Sequence, residues 1–485
     1  KVFTASRTES NNEYLNNNSI AFENKLQSGS NESVLGLGNV KLDYSPNKKE
    51  KWYYNAQYQS STNDLISTIN SITSVNSSLF ETISKADNTS AKQFVEWHKK
   101  YNLNHTTTFV VNHAYDNNRP QKNWFSDQPF LSGLIPLQDD LTYTITQIKK
   151  VKTNSVDALF KHYWIINDVN HLYTNIGNNF GTSRFDTSTK QLLTNGNEND
   201  FAKAGFGNNL RYRLNDAFVG LEYKFKIGKW TNKPGLYLHW YDLTTEQKME
   251  ERSFSKTLFQ PQWNSDYEFS KSESLNFVYK LENSFPEVSQ LANQFTLQNY
   301  NLVYKGNALL QNEQYHSSSL RYSKMNFYRG ITWDGMASFN KKVNTIRNEI
   351  ELEGINQFNT PILSDNPETN YNVNGSFTKK IYRFRLKLNT RLSWFNYFQT
   401  LNNATTSSDR NNQKIGILLK TAHKKWPGFS IGYTKGFSQF SGLTKSNFQT
   451  DALTADADIT FFKFWTYKFE YENLKNTNNN NQSNF

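Results

Sequence analysis

Between Asp451 and Glu472 the chain alternates strictly in twos. Leu453, Ala455, Ala457, Ile459 and Phe461 fall on one face, and Thr454, Asp456, Asp458 and Thr460 on the other. After Phe462–Phe464 the pattern restarts, with Trp465, Tyr467, Phe469 and Tyr471 against Thr466, Lys468, Glu470 and Glu472. Successive strand side chains point to opposite faces, so this stretch predicts a hairpin with one apolar and one charged face. Strands of about ten residues suit a tilted crossing of a bilayer's hydrocarbon. A soluble sandwich alternates in the same way, so one hairpin decides nothing.

The pattern recurs along the chain. Val40, Leu42 and Tyr44 alternate with Lys41 and Asp43, and Pro46-Asn47-Lys48-Lys49 turns the chain. Trp52, Tyr54, Ala56 and Tyr58 then return opposite Tyr53, Asn55, Gln57 and Gln59. Tyr143–Ile166 reads as one very long strand. Short turns are expected at Asn102–Asn104, Asn167–Asn170, Ile227–Lys229, Ser270–Glu273, Met325–Tyr328, Lys379–Ile381, His423–Trp426 and Phe462–Phe464. Long connections are expected at Ser61–Lys92, Asn117–Asp140, Gly181–Ala204, Thr245–Lys256, Asn283–Asn312, Val343–Glu368, Leu401–Arg410 and Gly436–Asn447. Tight turns at one rim and large loops at the other are the pattern of an outer-membrane barrel. The fold class is therefore all-β: a large antiparallel transmembrane β-barrel, with about 18 strands in this chain. Residues 1–33 read as a polar loop or weak first strand, 34–475 as the barrel, and 476–485 as an Asn-rich loop ending on Phe485. On that reading the barrel is incomplete within this chain.

Composition changes the picture in three places. A mean hydropathy of -0.77 would ordinarily argue against a membrane protein. Barrels escape that argument, because half of each strand faces a polar interior. The 36 Phe, 27 Tyr and 11 Trp exceed what strand propensity requires. With no cysteine, disulfides, iron–sulfur clusters and thiolate zinc sites are excluded. The net charge of +11 is spread along the chain, with no compact basic stripe, so no nucleic-acid partner is expected. Lys1–Asn18 has no apolar core of a secretory signal.

Candidate chemistry is sparse. Arg383, Arg385, Lys387 and Arg391 share one face of a strand expected over Tyr382–Trp394, opposite Tyr382, Phe384, Leu386, Leu388, Leu392 and Trp394. Like charges in a row repel, so something balances them. Acidic groups on neighbouring strands or a plug are the simpler reading, and an anionic ligand the other; Asp456 and Asp458 are the counter-charges in view. Trp52, Tyr54, Tyr58, Phe384, Trp394, Trp465, Tyr467, Phe469 and Tyr471 are read as lipid-facing or girdle residues. Trp124 and Phe125, in an expected loop, are the candidates for stacking on a ligand. No HExxH, GxSxG, P-loop or GxGxxG is present, so no metal, no cofactor and no enzyme activity is expected.

Lys305-Gly306-Asn307-Ala308-Leu309-Leu310-Gln311-Asn312-Glu313, followed by Tyr315-His316, resembles an extracellular-loop element of the TonB-dependent receptor family. Ala308 and Asn312 stand where that family usually has proline. Asn39–Tyr44, Lys161–Trp164 with Asn170–Tyr173, and Gly235–His239 are similar to the outer-membrane β-barrel branch of the family. The resemblance implies a barrel of about 22 strands, its lumen filled by a separate N-terminal plug. This chain then corresponds to the barrel portion without its plug and closing strands. The implied activity is energised uptake of a bulky nutrient, such as an iron chelate, glycan or peptide, across a Gram-negative-type outer membrane. Long loops would be extracellular, short turns periplasmic, and TonB coupled through a segment outside this chain. The alternative is a receptor-like barrel acting as a structural or docking subunit, binding a surface lipoprotein or other outer-membrane subunits.

Overall fold

A computed structural model describes residues 1–15, 20–74, 76–421, 427–461, 465–478 and 481–484. Among these, nineteen long strands follow one another in chain order from Val2–Leu15 to Trp465–Asn478, each antiparallel to the one before. Short strands at Glu198–Asp200, Phe295–Asn299, Leu302–Lys305, Asn356–Ser364 and Asn481–Asn484 join the same sheet. The all-β antiparallel architecture is as the alternation predicts. Tyr143–Ile165 is a single strand, and Val2–Leu15 is strand paired with the start of the next, from Val2↔Ser33 to Leu15↔Ile20.

One rim of the sheet is made of tight turns. Asn47 returns at Glu50, Lys100 at His105, Ile227 at Trp230, Ser270 at Glu273, and Ile381 at Phe384. The last of these corrects the sequence reading. The turn falls on Tyr382 and Arg383, with Tyr382 at φ 53°, so Arg383 belongs to the turn and not to the strand. The expected turns His423–Trp426 and Phe462–Phe464, and Phe485, lie outside the described residues.

The opposite rim departs further from expectation. Within the expected loop Ser61–Lys92, Ser61–Thr73 and Ser77–Lys92 are paired strand, the strands Glu50–Thr73 and Ser77–Lys100 running in register from Glu50↔Lys99 to Ile72↔Ser77. Thr245–Lys256 and Leu401–Arg410 close on two-residue turns, Lys248-Met249 (φ 51° and 66°) and Asn402-Asn403 (φ 48° and 65°). Positive φ at both central residues is the hairpin turn that matches strand twist. Gly436–Asn447 is likewise strand up to Ser441 and again from Lys445, and Val343–Glu368 holds the hairpin Glu353/Asn356. The strands simply continue beyond the alternating zone. There both faces are polar, so the period-two signal fades while the backbone ladder persists. Long connections remain at 127–142, 193–208 and 285–312.

The connection 285–312 shows that the sheet is curled. Its hairpin Phe295–Lys305 reaches the second long strand through Tyr300 and Glu23. It also pairs in parallel, Leu302–Tyr304 with Gln357–Asn359, beside the thirteenth. Eleven inter-strand steps would separate those strands by about 50 Å in a flat sheet. A hairpin of five-residue strands cannot span that, so the sheet wraps around it.

This fixes the inner face. Ile69, Phe80, Trp124, Tyr143 and Ile145 on the strands, Phe130, Leu131 and Ile135 from 127–142, and Phe201 and Phe206 from 193–208 enclose Leu297, Tyr300 and Val303 in one apolar core. A second cluster holds Leu291, Ala292 and Leu310 against Phe185, Leu210 and Leu243.

Candidate functional site

Alternation carries the inner and outer faces along the strands, interrupted by register shifts such as the one at Gln314/Tyr315. On the outside, one row runs across nine strands: Tyr44, Trp52, Trp97, Phe109, Phe160, Ile176, Val219, Leu238 and Phe259. A second runs through Trp333, Phe377, Leu388, Ile417, Tyr433 and Leu453. Most of these side chains are exposed, Ile176 at 54% and Phe259 at 60%, and Trp97, Leu238 and Phe377 are half-buried. Apolar surface of that extent on one face needs a cover.

The inner face at the same level is polar. Glu222, 7% exposed, accepts from the Lys233 ammonium at 2.5 Å, from Gln262 Nε2 at 2.5 Å and from the Tyr237 hydroxyl. Asn175 donates to Tyr237 at 3.0 Å, and Lys233 lies 4.9 Å over the Tyr173 ring. Higher up, His239 Nδ1 meets Asp216 at 2.7 Å, and Asn179 donates to the other carboxylate oxygen at 2.9 Å. An aromatic file climbs from Phe218 through His239 and Tyr241 to Phe285, at the base of the inserted segment, with centroid spacings of 4.8, 5.4 and 4.6 Å. Two glycines make this possible. A Cβ on Gly177 would sit 2.4 Å from the Phe218 ring, and one on Gly220 2.3 Å from the Tyr237 ring, so both rings lie flat on bare backbone. The wall encloses a concave site of about 420 Å³ with Lys161, Lys280 and Glu282 at its margin.

No protein-family model and no curated protein matches this sequence. Similar solved structures include the hemophore receptor HasR of Serratia marcescens, at 11% identity and a TM-score of 0.49, covering 100% of this chain and 80% of that one. The ferric-catecholate import receptor Fiu of E. coli K12 is similar at 7% identity, TM-score 0.44, with coverage of 100% and 80%. The siderophore receptor PirA of Pseudomonas aeruginosa is similar at 9% identity, TM-score 0.42, with coverage of 93% and 80%.

Above the polar wall, the inserted segment is held by side-chain amides. Gln147 pairs with both backbone groups of Leu297, donating to its carbonyl and accepting from its N–H, each at 2.9 Å. Asn208 does the same for Gln294 at 3.3 and 3.2 Å, and Gln247 accepts from the Asn293 N–H at 3.0 Å. Buried backbone groups require such partners, and here three distant elements supply them. Lys122 reaches the Gln298 carbonyl at 3.3 Å. Burial pushes the Lys122 and Lys149 ammonium groups below the ordinary lysine value, and their mutual repulsion pushes Lys149 further down.

Glu23 anchors the far side. Its side chain is 1% exposed and accepts from Ser71 and Tyr300 at 2.5 Å, Tyr14 at 2.8 Å and Asn12 at 3.1 Å. Burial pushes its carboxyl up, but the hydrogen bonds from Ser71, Tyr300, Tyr14 and Asn12 outweigh it and hold the group below the ordinary glutamate value.

Among the sequence candidates, Arg385, Lys387 and Arg391 share a face with Lys420 and Lys414 on the next strand, Arg385↔Lys420 and Arg391↔Lys414 being direct partners. Arg391 donates to Asn374 at 3.1 Å and, with Lys414 and Glu472, lines a concavity of about 790 Å³. Asp456 and Asp458 lie three strands from Arg385, with two strands between. At about 14 Å they are not its direct counter-charges. Asp456 accepts instead from Ser430 at 2.6 Å. Trp52, Tyr54, Tyr58, Phe384, Trp394, Trp465, Tyr467, Phe469 and Tyr471 lie on the face opposite these charges.

Trp124 and Phe125 are corrected. Both sit within the strand His105–Ser126, and Trp124, 2% exposed, is a core residue with no surface left for a ligand. The Glu222 and Asp216 networks and the Gln147, Asn208 and Gln247 clamps had no motif to show them. The one available signal was Tyr237, His239 and Tyr241 alternating with Leu236, Leu238 and Trp240.

Proposed function

We propose that this chain is the barrel portion of a TonB-dependent-receptor-like outer-membrane protein, which takes up a bulky nutrient through a gated lumen. One observation carries the reading: a sheet curled so that its bare apolar face points out and its polar, charged face points in. Only a lipid surround makes that arrangement favourable over so many strands. The long-hairpin rim faces outside the cell and the tight turns face the periplasm. The aromatic file and hydrogen-bonding wall from Tyr173 to Phe285 form the path, and 285–312 closes its mouth. Aromatic faces beside amide, carboxylate and ammonium groups suit a glycan, peptide or organic chelate. TonB engages through a segment beyond this chain, and surface lipoproteins are the expected partners at the rim.

The test is expression in an outer membrane, followed by extraction and uptake assays. Detergent-dependent extraction, heat-modified gel migration and TonB-dependent accumulation of one nutrient class are expected. A folded chain fully soluble in plain buffer would overturn the membrane reading. A membrane-inserted chain that transports nothing yet co-purifies stably with a surface lipoprotein would replace uptake with the docking role. The tall paired strands from Ile20 to Ser126, which give the rim a high polar wall, favour that second reading.

A further inference from the structure

The outer face carries a feature that neither the lumen nor the apolar belt uses. Lys152, Arg184 and Arg211 stand directly opposite one another on three adjacent strands, Lys152↔Arg184 and Arg184↔Arg211. Arg213 stands two residues below Arg211 on the same face. Like charges at directly opposed positions repel, so the row is unfavourable without an anion. Protein carboxylates supply only part of one. Arg184 pairs with Asp186 at 2.8 Å and Arg211 with Glu246 at 3.3 Å, both at exposed sites where such pairs are weak. Among the described residues Lys152 and Arg213 enter no ion pair; Arg213 only approaches Thr244 Oγ1 at 3.4 Å.

These four cations line one groove of about 500 Å³ together with Tyr115 and two carboxylates, Glu246 and Glu251, so basic groups outnumber acidic ones there. They share their face with Phe160, Ile176 and Val219, so they point outward. Their height is informative. Trp164, Tyr223 and Trp263 form an aromatic band near the tight turns, and Lys152 and Arg213 lie twelve and ten residues further along their strands. At about 3.3 Å per residue and a tilt of about 40°, that is roughly 25–30 Å along the membrane normal. The apolar belt of such a barrel is about 25 Å tall. The groove therefore sits where the lipid headgroups of the long-hairpin leaflet begin.

We propose that this groove binds the phosphate of an anionic lipid headgroup in that leaflet. Guanidinium groups present paired N–H donors to phosphate oxygens, and basic side chains at the headgroup level attract anionic lipid. The lipid's first methylenes would lie on Tyr115 and the aliphatic stems of the basic side chains. The inference rests on the membrane reading above, and goes beyond it by assigning a site on the barrel's outer surface.

The experiment uses the full chain in nonionic detergent, incubated with short-chain phosphatidic acid, short-chain phosphatidylcholine or inorganic phosphate, with bound molecules counted by native mass spectrometry. Phosphatidic acid should be retained selectively. The R184Q/R211Q variant should weaken that retention about tenfold or more, while R184K/R211K keeps most of it. K92Q, on the inner face and away from the lumen wall, should leave that retention unchanged. Equal retention of phosphatidylcholine, equal retention by R184Q/R211Q, or inorganic phosphate binding as tightly as the lipid would each overturn the proposal. Flotation with liposomes separates the two readings. A chain that floats but does not select anionic lipid loses only this site, whereas one that never floats loses the membrane reading as well.

Discussion

Tyr300 donates its hydroxyl to Glu23 at 2.5 Å, joining residues 277 positions apart and tying the inserted segment to the second strand. Removing that donor leaves a buried carboxylate short of one hydrogen bond. Tyr300→Phe should cost about 1–3 kcal/mol and loosen the segment. Hydrogen exchange over 285–312 is the direct readout, and unchanged protection would show the bond to be incidental.

The same carboxyl gives a pH signature. Its folded value lies below the ordinary glutamate value, so its stabilisation is complete above the unfolded value and is lost as pH falls through the folded one. Proteolysis of 285–312 should therefore accelerate on acidification from about pH 5 downward. In Glu23→Gln that acid step should flatten, because no proton is taken up there.

A charge on the outer face should be expensive and one on the inner face cheap. Ile176→Lys should lower stability in lipid vesicles by about 2–4 kcal/mol near mid-bilayer, against little for the inward Ser376→Lys. Denaturant titration of the folded, vesicle-bound chain measures both. Equal costs would mean that the two faces see similar surroundings.

Gly220 should tolerate no side chain. A valine there drives its Cβ into the Tyr237 ring, which must leave Glu222 to escape. Overpacking of this kind costs about 1–3 kcal/mol. A Gly220→Val variant as stable as the parent, with the environment of Tyr237 unaltered by NMR, would contradict the packing.

Trp124 should matter for stability and not for ligand stacking. Trp124→Ala empties the centre of the apolar core and should cost about 3–5 kcal/mol. Nutrient binding per folded molecule should stay at the parental level. A loss of binding with stability intact would restore the ligand role.

The sequence by itself determined the strands wherever one face is apolar. From Val40 to Tyr58, from Tyr143 to Ile165, from Leu453 to Phe461 and from Trp465 to Tyr471, period-two alternation is enough, because a strand bound by unlike surroundings must sort its side chains by face. It also determined the tight turns at Asn47/Glu50 and Ile227/Trp230, where local turn chemistry acts alone. Tertiary structure decided the rest. Ser61–Thr73, Ser77–Lys92 and Ala404–Arg410 became strand because a neighbouring backbone was present to pair with, a fact no local polarity pattern records. Trp124 became core because 127–142, 193–208 and 285–312 fold onto it from three places. Arg385 and Asp456, which look complementary in sequence, ended three strands apart, since strand order, not charge, sets who meets whom. Glu23, Gln147 and Asn208 gained their roles only when the sheet curled far enough for one hairpin to touch strands that a flat sheet would hold about 50 Å apart.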